Sequence, residues 1–449
     1  MRSLSVKDVR SILDQNAFSF TAQKKTETKL DYLVEKRFNT MGPTSVLFYQ
    51  EPLHIVKGES VWLYDDSGQR YLDVYNNVPS VGHCHPKVVE AVCRQMSELN
   101  IHTRYLHGAI HDYIERILNT MPDTLNRMIM TCTGSESNDI ALRLARHWTQ
   151  KHGVIVTEAA YHGNTAAVTE ISPSSLKNSE PADDVFIIPI SEMPTDGENA
   201  ANWLLNQVST GIQTLDDKGY GCAAFIVDSI FSSDGVIADP AGFLKPSVDL
   251  IQEKGVLFIA DEVQPGFGRT GDNMWGFARH NLTPDIVTMG KPMGNGFPVA
   301  AIVARECFLA SFSEEIGYFN TFGGSTVAVA AATAVLDIIE EENLMSNAKQ
   351  VGSYLKDSLI KLASQYDEIG AVRGAGLFIG LDFVKRRPTV IPDSSRASKV
   401  INALRQNGVL IGAAGKFGNT LKIRPPLCFG IDHADFFLER IDQAIRDTK

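Results

Sequence analysis

Two short segments thirty residues apart carry the groups best able to do chemistry. VLFIADEVQPGFGRTG is an apolar strand pattern ending in Asp261, and DIVTMGKPMGNGFP is another ending in Lys291. A lysine amine can form a Schiff base with an aldehyde. A carboxylate at a neighbouring strand end can hold a pyridine nitrogen protonated, so that the ring draws electrons from a substrate carbon. The pair suits pyridoxal 5′-phosphate (PLP). A lysine after an apolar strand ordinarily snorkels to solvent. Here GKPMGNGFP keeps the backbone close and the site open. Desolvation is expected to lower the lysine's pKa, making it a nucleophile and then a proton shuttle.

A phosphate needs its own cradle. TCTGSESND, Thr131 to Asp139, reads as a strand end, a turn at Thr133-Gly134-Ser135 and a helix start. Free N–H groups and the positive end of the helix dipole favour an anion there, and Gly134 lets it approach the backbone. A capped helix after a loop, with Ser135 or Thr133 as cap, explains the same residues; beside Asp261 and Lys291 the phosphate cup is the better account. Tyr161 and His162, in AYHGNT, follow a strand and so sit on the ligand-binding edge of such a sheet. Arg424, in LKIRPPLCF, offers a fork suited to carboxylate, phosphate or phosphonate, stiffened by Pro425-Pro426. No His or Cys cluster accompanies Asp261, so no metal is expected. Glu262 and Arg269 are expected to be structural.

The elements that position these groups alternate along the chain. Apolar runs at 128–132, 154–157, 185–190, 224–229, 256–261, 285–289 and 299–304 suit strands buried on both faces by intervening helices. The pattern predicts an α/β layer architecture with a mostly parallel sheet. ESVWLYDDSGQRYLDVYNN reads as a hairpin turning at Asp66-Ser67-Gly68, and residues 1–40 as helical. An alanine-rich helix starts near Ser325, followed by a smaller α+β domain with a strand over VRGAGLFIGLDFV and another near LKIRPP. The expected division is an N-terminal segment, 1–65, packing with the small domain; a large domain, 66–325; and the small domain, 326–449.

The 449 residues suffice for two domains. A net charge of −11 argues against a general nucleic-acid binder, and no apolar run reaches the ~18 residues of a membrane span. The start of the chain lacks a signal-peptide core. Six cysteines without a CxxC pair suggest neither zinc nor a disulfide framework. A reduced, cytoplasmic protein is expected.

With these motifs over about Tyr49 to Phe429, the chain resembles the class III aminotransferases, PLP enzymes of fold type I. The resemblance implies roles. Tyr161 stacks on the pyridine ring, Val263 packs on the opposite face, Gln264 approaches the ring hydroxyl and Asp261 pairs with the ring nitrogen. Thr321, in YFNTFGGST, reaches the phosphate of a partner subunit, implying a homodimer with shared sites. Thr326 stands where the family pattern has proline. Arg424 pairs with a substrate carboxylate.

Finer motifs, YLDVYNNVPSVGHCHP, TRYLH, EISP, YFNTFGG and GLFIGLDFVK, resemble a subgroup of ethanolamine-phosphate and hydroxylysine-phosphate phospho-lyases and 2-amino-1-hydroxyethylphosphonate ammonia-lyases. The aminotransferase EPxQGxGG segment reads DSIFSSDGV here, with Asp228-Ser229 replacing Glu-Pro and Phe231 replacing glutamine. Asp228 is accordingly a cofactor-site candidate. The resemblance implies a lyase that expels phosphate or hydroxyl from a small, anionic amine and releases ammonia and an aldehyde. Asn77 and Arg104, in lyase-like segments, join Arg424 as candidate substrate contacts. Arg424 is the aminotransferase-like residue, and an ω-aminotransferase using pyruvate, glyoxylate or 2-oxoglutarate is the alternative. A silent PLP-binding protein is a third reading, opposed by the intact Lys291, Asp261 and Tyr161.

Overall fold

The computed structural model describes residues 17–18, 28–176, 179–195 and 197–449. The early hairpin forms as expected. β1 (Ile55–Glu59), β2 (Trp62–Asp65) and β3 (Arg70–Asp73) pair antiparallel in sequence order. The Asp65 carboxylate closes the turn by accepting from the Ser67 and Gln69 N–H groups at 3.0 Å, and Gly68 takes φ 87°. Of the expected N-terminal helix, Lys29–Met41 is helical, capped reciprocally by Thr28 and Asp31; apart from residues 17–18, the rest of 1–27 lies outside the described residues.

The seven apolar runs all become strands of one sheet. They are β4 (Arg127–Thr131), β5 (Gly153–Thr157), β6 (Val185–Ile188), β7 (Cys222–Val227), β8 (Leu257–Asp261), β9 (Ile286–Met289) and β10 (Ala300–Ala304), in spatial order β4-β10-β9-β8-β7-β5-β6. β5 to β9 pair parallel, and β10 runs antiparallel to both neighbours. Successive side chains go to opposite faces. Val154, Ala224, Ile259 and Ile286 join one apolar cluster, while Ile155, Phe225, Phe258 and Val287 join another. That is why these strands are apolar almost throughout rather than alternating.

The remaining strands form two smaller sheets: β11 (Ile369–Ala375), β12 (Phe378–Phe383), β13 (Val409–Leu410), β14 (Gly412–Ala414) and β15 (Thr420–Ile423). One sheet runs β1-β2-β3-β13 and the other β11-β12-β15-β14. Two expectations need correction. VRGAGLFIGLDFV is not one strand but the β11–β12 hairpin, because Gly374 and Gly376 take φ 124° and 53° and reverse the chain. The boundary at residue 65 falls inside paired structure, because β3 hydrogen-bonds to β2 and to β13. The alanine-rich helix spans Thr326–Glu341, capped by Ser325, and packs on helices Pro86–Glu98 and Gly108–Leu118. The Thr326 hydroxyl donates to the Leu99 carbonyl at 2.5 Å, a bond proline could not make. Among the described residues no helix is long and apolar enough to cross a membrane.

Candidate active site

Ligand sites in parallel sheets form where strands end. Thr157 ends β5, Asp228 follows β7, Asp261 ends β8 and Lys291 follows β9 by two residues. They meet around a cavity of about 190 Å³. Of the expected residues, Gly134, Ser135, Tyr161, His162, Asp228, Asp261, Val263, Gln264 and Lys291 line it. Thr157, Ala160, Gly163, Ser233 and Asp234 complete the wall.

Asp261 is buried and oriented from three sides. His162 Nδ1 lies 2.7 Å and Asn138 Nδ2 3.1 Å from Oδ2, and the Val263 N–H donates to Oδ1 at 3.1 Å. Asn138 is itself held by the Thr288 hydroxyl at 2.6 Å. The carboxylate is thus fixed before any ligand arrives, which removes the cost of ordering it later.

Lys291 has no hydrogen bond to Nζ from any described residue. Burial, with Arg424 adding its positive charge, pulls its pKa down to about 8, against the opposing pull of Asp261 and Asp228. About a tenth of the lysine is therefore free amine at pH 7, far more than an ordinary lysine with a pKa of about 10.4 offers, as a nucleophile requires.

The anion cradle is shaped by missing side chains. A Cβ on Gly134 would meet Val263 Cγ2 at 2.8 Å, and one on Gly163 would meet Ser135 Oγ at 2.5 Å. Gly134 opens the helix Gly134–Thr149, so its first N–H groups face the cavity floor. Ser135 and the glycines line the cavity; Thr133 does not, and its hydroxyl caps the helix by accepting from the Glu136 N–H at 3.2 Å. Tyr161 and Val263 line the same cavity as Asp261. A buried amine, a fixed carboxylate, an aromatic wall and an N–H cradle together fit PLP.

Gln264 connects the cavity to Arg424, whose Nη1 donates to Gln264 Oε1. Arg424 is buried and stacks over the Tyr75 ring at 4.4 Å. Arg269 holds the turn carrying it by donating to the carbonyls of Pro425 and Leu377, a structural role. Two residues before Arg424, Lys422 is also buried and is close enough to Asp228, Asp234 and Lys291 to feel their charges. Burial, and then Arg424, lower its pKa. Among the described residues neither Lys422 nor Arg424 has a carboxylate within 4.0 Å. Asp228 accepts from the Ile230 and Ser232 N–H groups at 3.0 and 3.2 Å; burial pushes its pKa up.

Three expected contacts are not brought to this cavity by their own chain. Thr321 is exposed. Arg104 stacks on Phe319 at 3.8 Å beside a separate surface cavity of about 400 Å³. Asn77 is buried outside the lining. Conversely, Asn138, Thr157, Asp234 and Lys422 were not singled out. Asn138 is a polar residue on the buried face of an amphipathic helix, and Lys422 shares Arg424's side of β15; both signals were present in the sequence.

Comparison with known proteins agrees with this geometry. Residues 48–445 match the family model described as aminotransferase class-III. A Drosophila melanogaster protein named alanine–glyoxylate aminotransferase 2-like is 39% identical, over 92% of this chain and 86% of its own length. The Caenorhabditis elegans ethanolamine-phosphate phospho-lyase homolog 1 is 37% identical, over 92% of this chain and 93% of its own. An Arthrobacter phospholyase, solved in complex with phosphoethanolamine, superposes with a TM-score of 0.88 at 40% identity, over 92% of this chain and 99% of its own.

Proposed function

The chain belongs to the class III aminotransferases and takes PLP, and from that premise we propose that it is a lyase. Its substrate is a small amine with a phosphate or phosphonate and a leaving group on the carbon next to the one bearing nitrogen. The observation that carries this reading is buried Arg424, with buried Lys422 two residues before it, and no carboxylate in ion-pair reach of either among the described residues. Burying an uncompensated charge is costly. A doubly charged phosphonate or phosphate near this side of the cavity would compensate Arg424 and favour the protonated form of Lys422, whose pKa burial holds down. The likeness to the phosphoethanolamine-bound phospholyase supports the same reading.

PLP, when bound, stabilises negative charge on the carbon attached to the substrate nitrogen. The protein supplies the rest. Asp261, held by His162, Asn138 and the Val263 N–H, would keep the ring nitrogen charged. Tyr161 and Val263 would contact the ring, and Gly134 and Ser135 would hold the phosphate. Lys291 would anchor the aldehyde, and its free amine would take the proton from the substrate carbon bearing nitrogen. A leaving group on the next carbon then departs, and water completes release of ammonia and an aldehyde.

The exposed Thr321 and Arg104 lie on one surface with Tyr105, Leu106 and Phe322. This surface suits a second copy of the chain, which would bring Thr321 to the neighbouring phosphate site. All six cysteines are free thiols, as suits a reducing cytoplasm.

The Drosophila aminotransferase-like relative favours a second reading, transfer of the amine to a 2-oxo acid. One experiment separates them. PLP-loaded enzyme is given phosphoethanolamine, 2-amino-1-hydroxyethylphosphonate, 2-aminoethylphosphonate, β-alanine or 4-aminobutyrate without a keto acid. A lyase releases ammonia over many turnovers. A single-turnover conversion of the cofactor to its amine form, without ammonia, returns the protein to the transaminases.

A further inference from the structure

A lyase must do more than remove a proton; it must let the leaving group go. Phosphate leaves as a stable anion. Hydroxide does not: the pKa of water is about 15.7, so a hydroxyl needs a proton as its bond to carbon breaks. The chain's own residues carry an acid suited to that step, one that the roles assigned so far leave unused.

Asp234 lines the same cavity as Lys291 and Asp261. Its position is set by two contacts from the end of β5. Oδ1 accepts from the Ala159 N–H at 2.9 Å, and Oδ2 lies 2.7 Å from the Thr157 hydroxyl. Thr157 also lines the cavity. A threonine hydroxyl both donates and accepts, so Oδ2 and Thr157 form a short path for a proton into the cavity. Asp234 also lies close enough to Lys422 for each to sense the other's charge. A phosphonate drawn toward Lys422, which lies behind the cavity wall within reach of the Asp234 charge, would set the carbon that bears it, and a hydroxyl on that carbon, on the Asp234 side of the cavity.

Resting on the lyase reading, we propose that Asp234 is a further catalytic residue, the acid that protonates a departing hydroxyl. Lys291 Nζ takes the proton from the carbon bearing nitrogen. That C–H electron pair becomes the new carbon–carbon double bond. The C–O bond breaks with its pair on oxygen, and the Asp234 proton turns the leaving group into water. Lys291 is left as ammonium and Asp234 as carboxylate, so the two groups have exchanged one proton through the substrate. A water molecule then hydrolyses the double-bonded amine, so the water lost is regained. The net change is an amino alcohol to an aldehyde and ammonia, without oxidation or reduction.

The surroundings keep the acid loaded. Burial, opposed by the Thr157 and Ala159 bonds and aided by the carboxylates of Glu158 and Asp228, pushes the Asp234 pKa up to about 7. Of the cations facing it, Lys416 is held by Glu158 at 2.9 Å and Lys422 is weakened by its own burial.

The test compares PLP-loaded wild type with Asp234→Asn in heavy water, using 2-amino-1-hydroxyethylphosphonate followed by proton NMR. Two signals are read: exchange of hydrogen at the carbon bearing nitrogen, which reports Lys291, and appearance of the aldehyde. The expected result is exchange within about tenfold of wild type and aldehyde formation slower by about 10²–10⁴-fold, the usual worth of a general acid. Phosphate release from phosphoethanolamine should fall by less than tenfold. Without substrate, difference infrared spectra of wild type should show a protonated carboxyl that titrates near neutrality and is missing in Asp234→Asn. Aldehyde formation undiminished in the variant would overturn the proposal alone. So would equal loss of exchange and aldehyde, which marks a structural residue, or absence of the carboxyl band. Wild type that releases no ammonia from any of the amines would overturn the lyase reading and the proposal with it.

Discussion

At the scale of single residues, the strongest commitments concern Lys291. Its amine reacts only when unprotonated, and burial has moved its midpoint to about 8. The rate at which apoprotein captures PLP should therefore rise with pH and level off above about 8, where an ordinary lysine would still be gaining free amine up to about 10.4. Lys291→Ala should lower ammonia release at least about 10³-fold and weaken cofactor retention, seen as loss of PLP absorbance on gel filtration. Full activity in that variant would remove the assignment. Arg424→Ala removes a charge-assisted contact worth about 1.5–3 kcal/mol, so kcat/KM for a phosphonate amine should fall roughly 10- to 150-fold, mostly through KM. Steady-state kinetics with a neutral amine, unaffected by the change, provide the control. Asp261 and Lys291 were legible in the sequence because each closes an apolar strand and few other reasons place a charge there. Asp234 was not. Its chemistry depends on Thr157, seventy-seven positions earlier in the chain, and no local pattern records that meeting.

At the scale of elements, the loops after the strands determine whether those residues stay aimed. Glu262, next to Asp261, is the anchor. It is buried and accepts from the Gly276 N–H at 2.7 Å, the Phe277 N–H at 2.8 Å and the Ser229 hydroxyl at 3.1 Å. It thereby ties the loop after β8 to the loop after β7, which carries Asp228 and Asp234. Glu262→Ala leaves three buried donors unanswered and should cost on the order of 3 kcal/mol or more in urea unfolding of the apoprotein. Burial raises the Glu262 pKa to about 8. A carboxyl with a raised folded pKa contributes most below its unfolded value of about 4.3 and loses that contribution as pH rises toward about 8. Glu262→Gln, neutral throughout, should accordingly compare more favourably with wild type at about pH 8 than at about pH 5. The seven large-sheet strands could be read from composition, because burial on both faces leaves continuous apolar runs. The β11–β12 hairpin could not be read the same way. Its apolar run continues through the turn, and only Gly374 and Gly376 mark the reversal, a signal weaker than the strand pattern around it.

At the scale of the molecule, we propose that a second copy of the chain completes the site. Leu106 is 94%, Phe322 70% and Tyr105 63% exposed, together with the half-exposed Phe319. Clustered, exposed large apolar side chains mark an interaction surface. Thr321 and Arg104 lie among them, exposed and outside the lining of their own chain's cavity. A symmetric dimer through this surface would bury the apolar groups and present each chain's Thr321 to the other's phosphate cup, in an interface that is the same patch on both partners. Light scattering should then give a particle of twice the 49.3 kDa chain mass. Leu106→Asp with Phe322→Asp places four carboxylates in the paired surface, two from each chain, and should produce monomers. Those monomers should keep the far-ultraviolet circular dichroism of the parent, because neither residue supports the core. They should also lose PLP more readily, since the phosphate is held by one subunit's groups alone. Monomers that retain cofactor and turnover would show that each cavity is self-sufficient, and Thr321 and Arg104 would then have no part in the site.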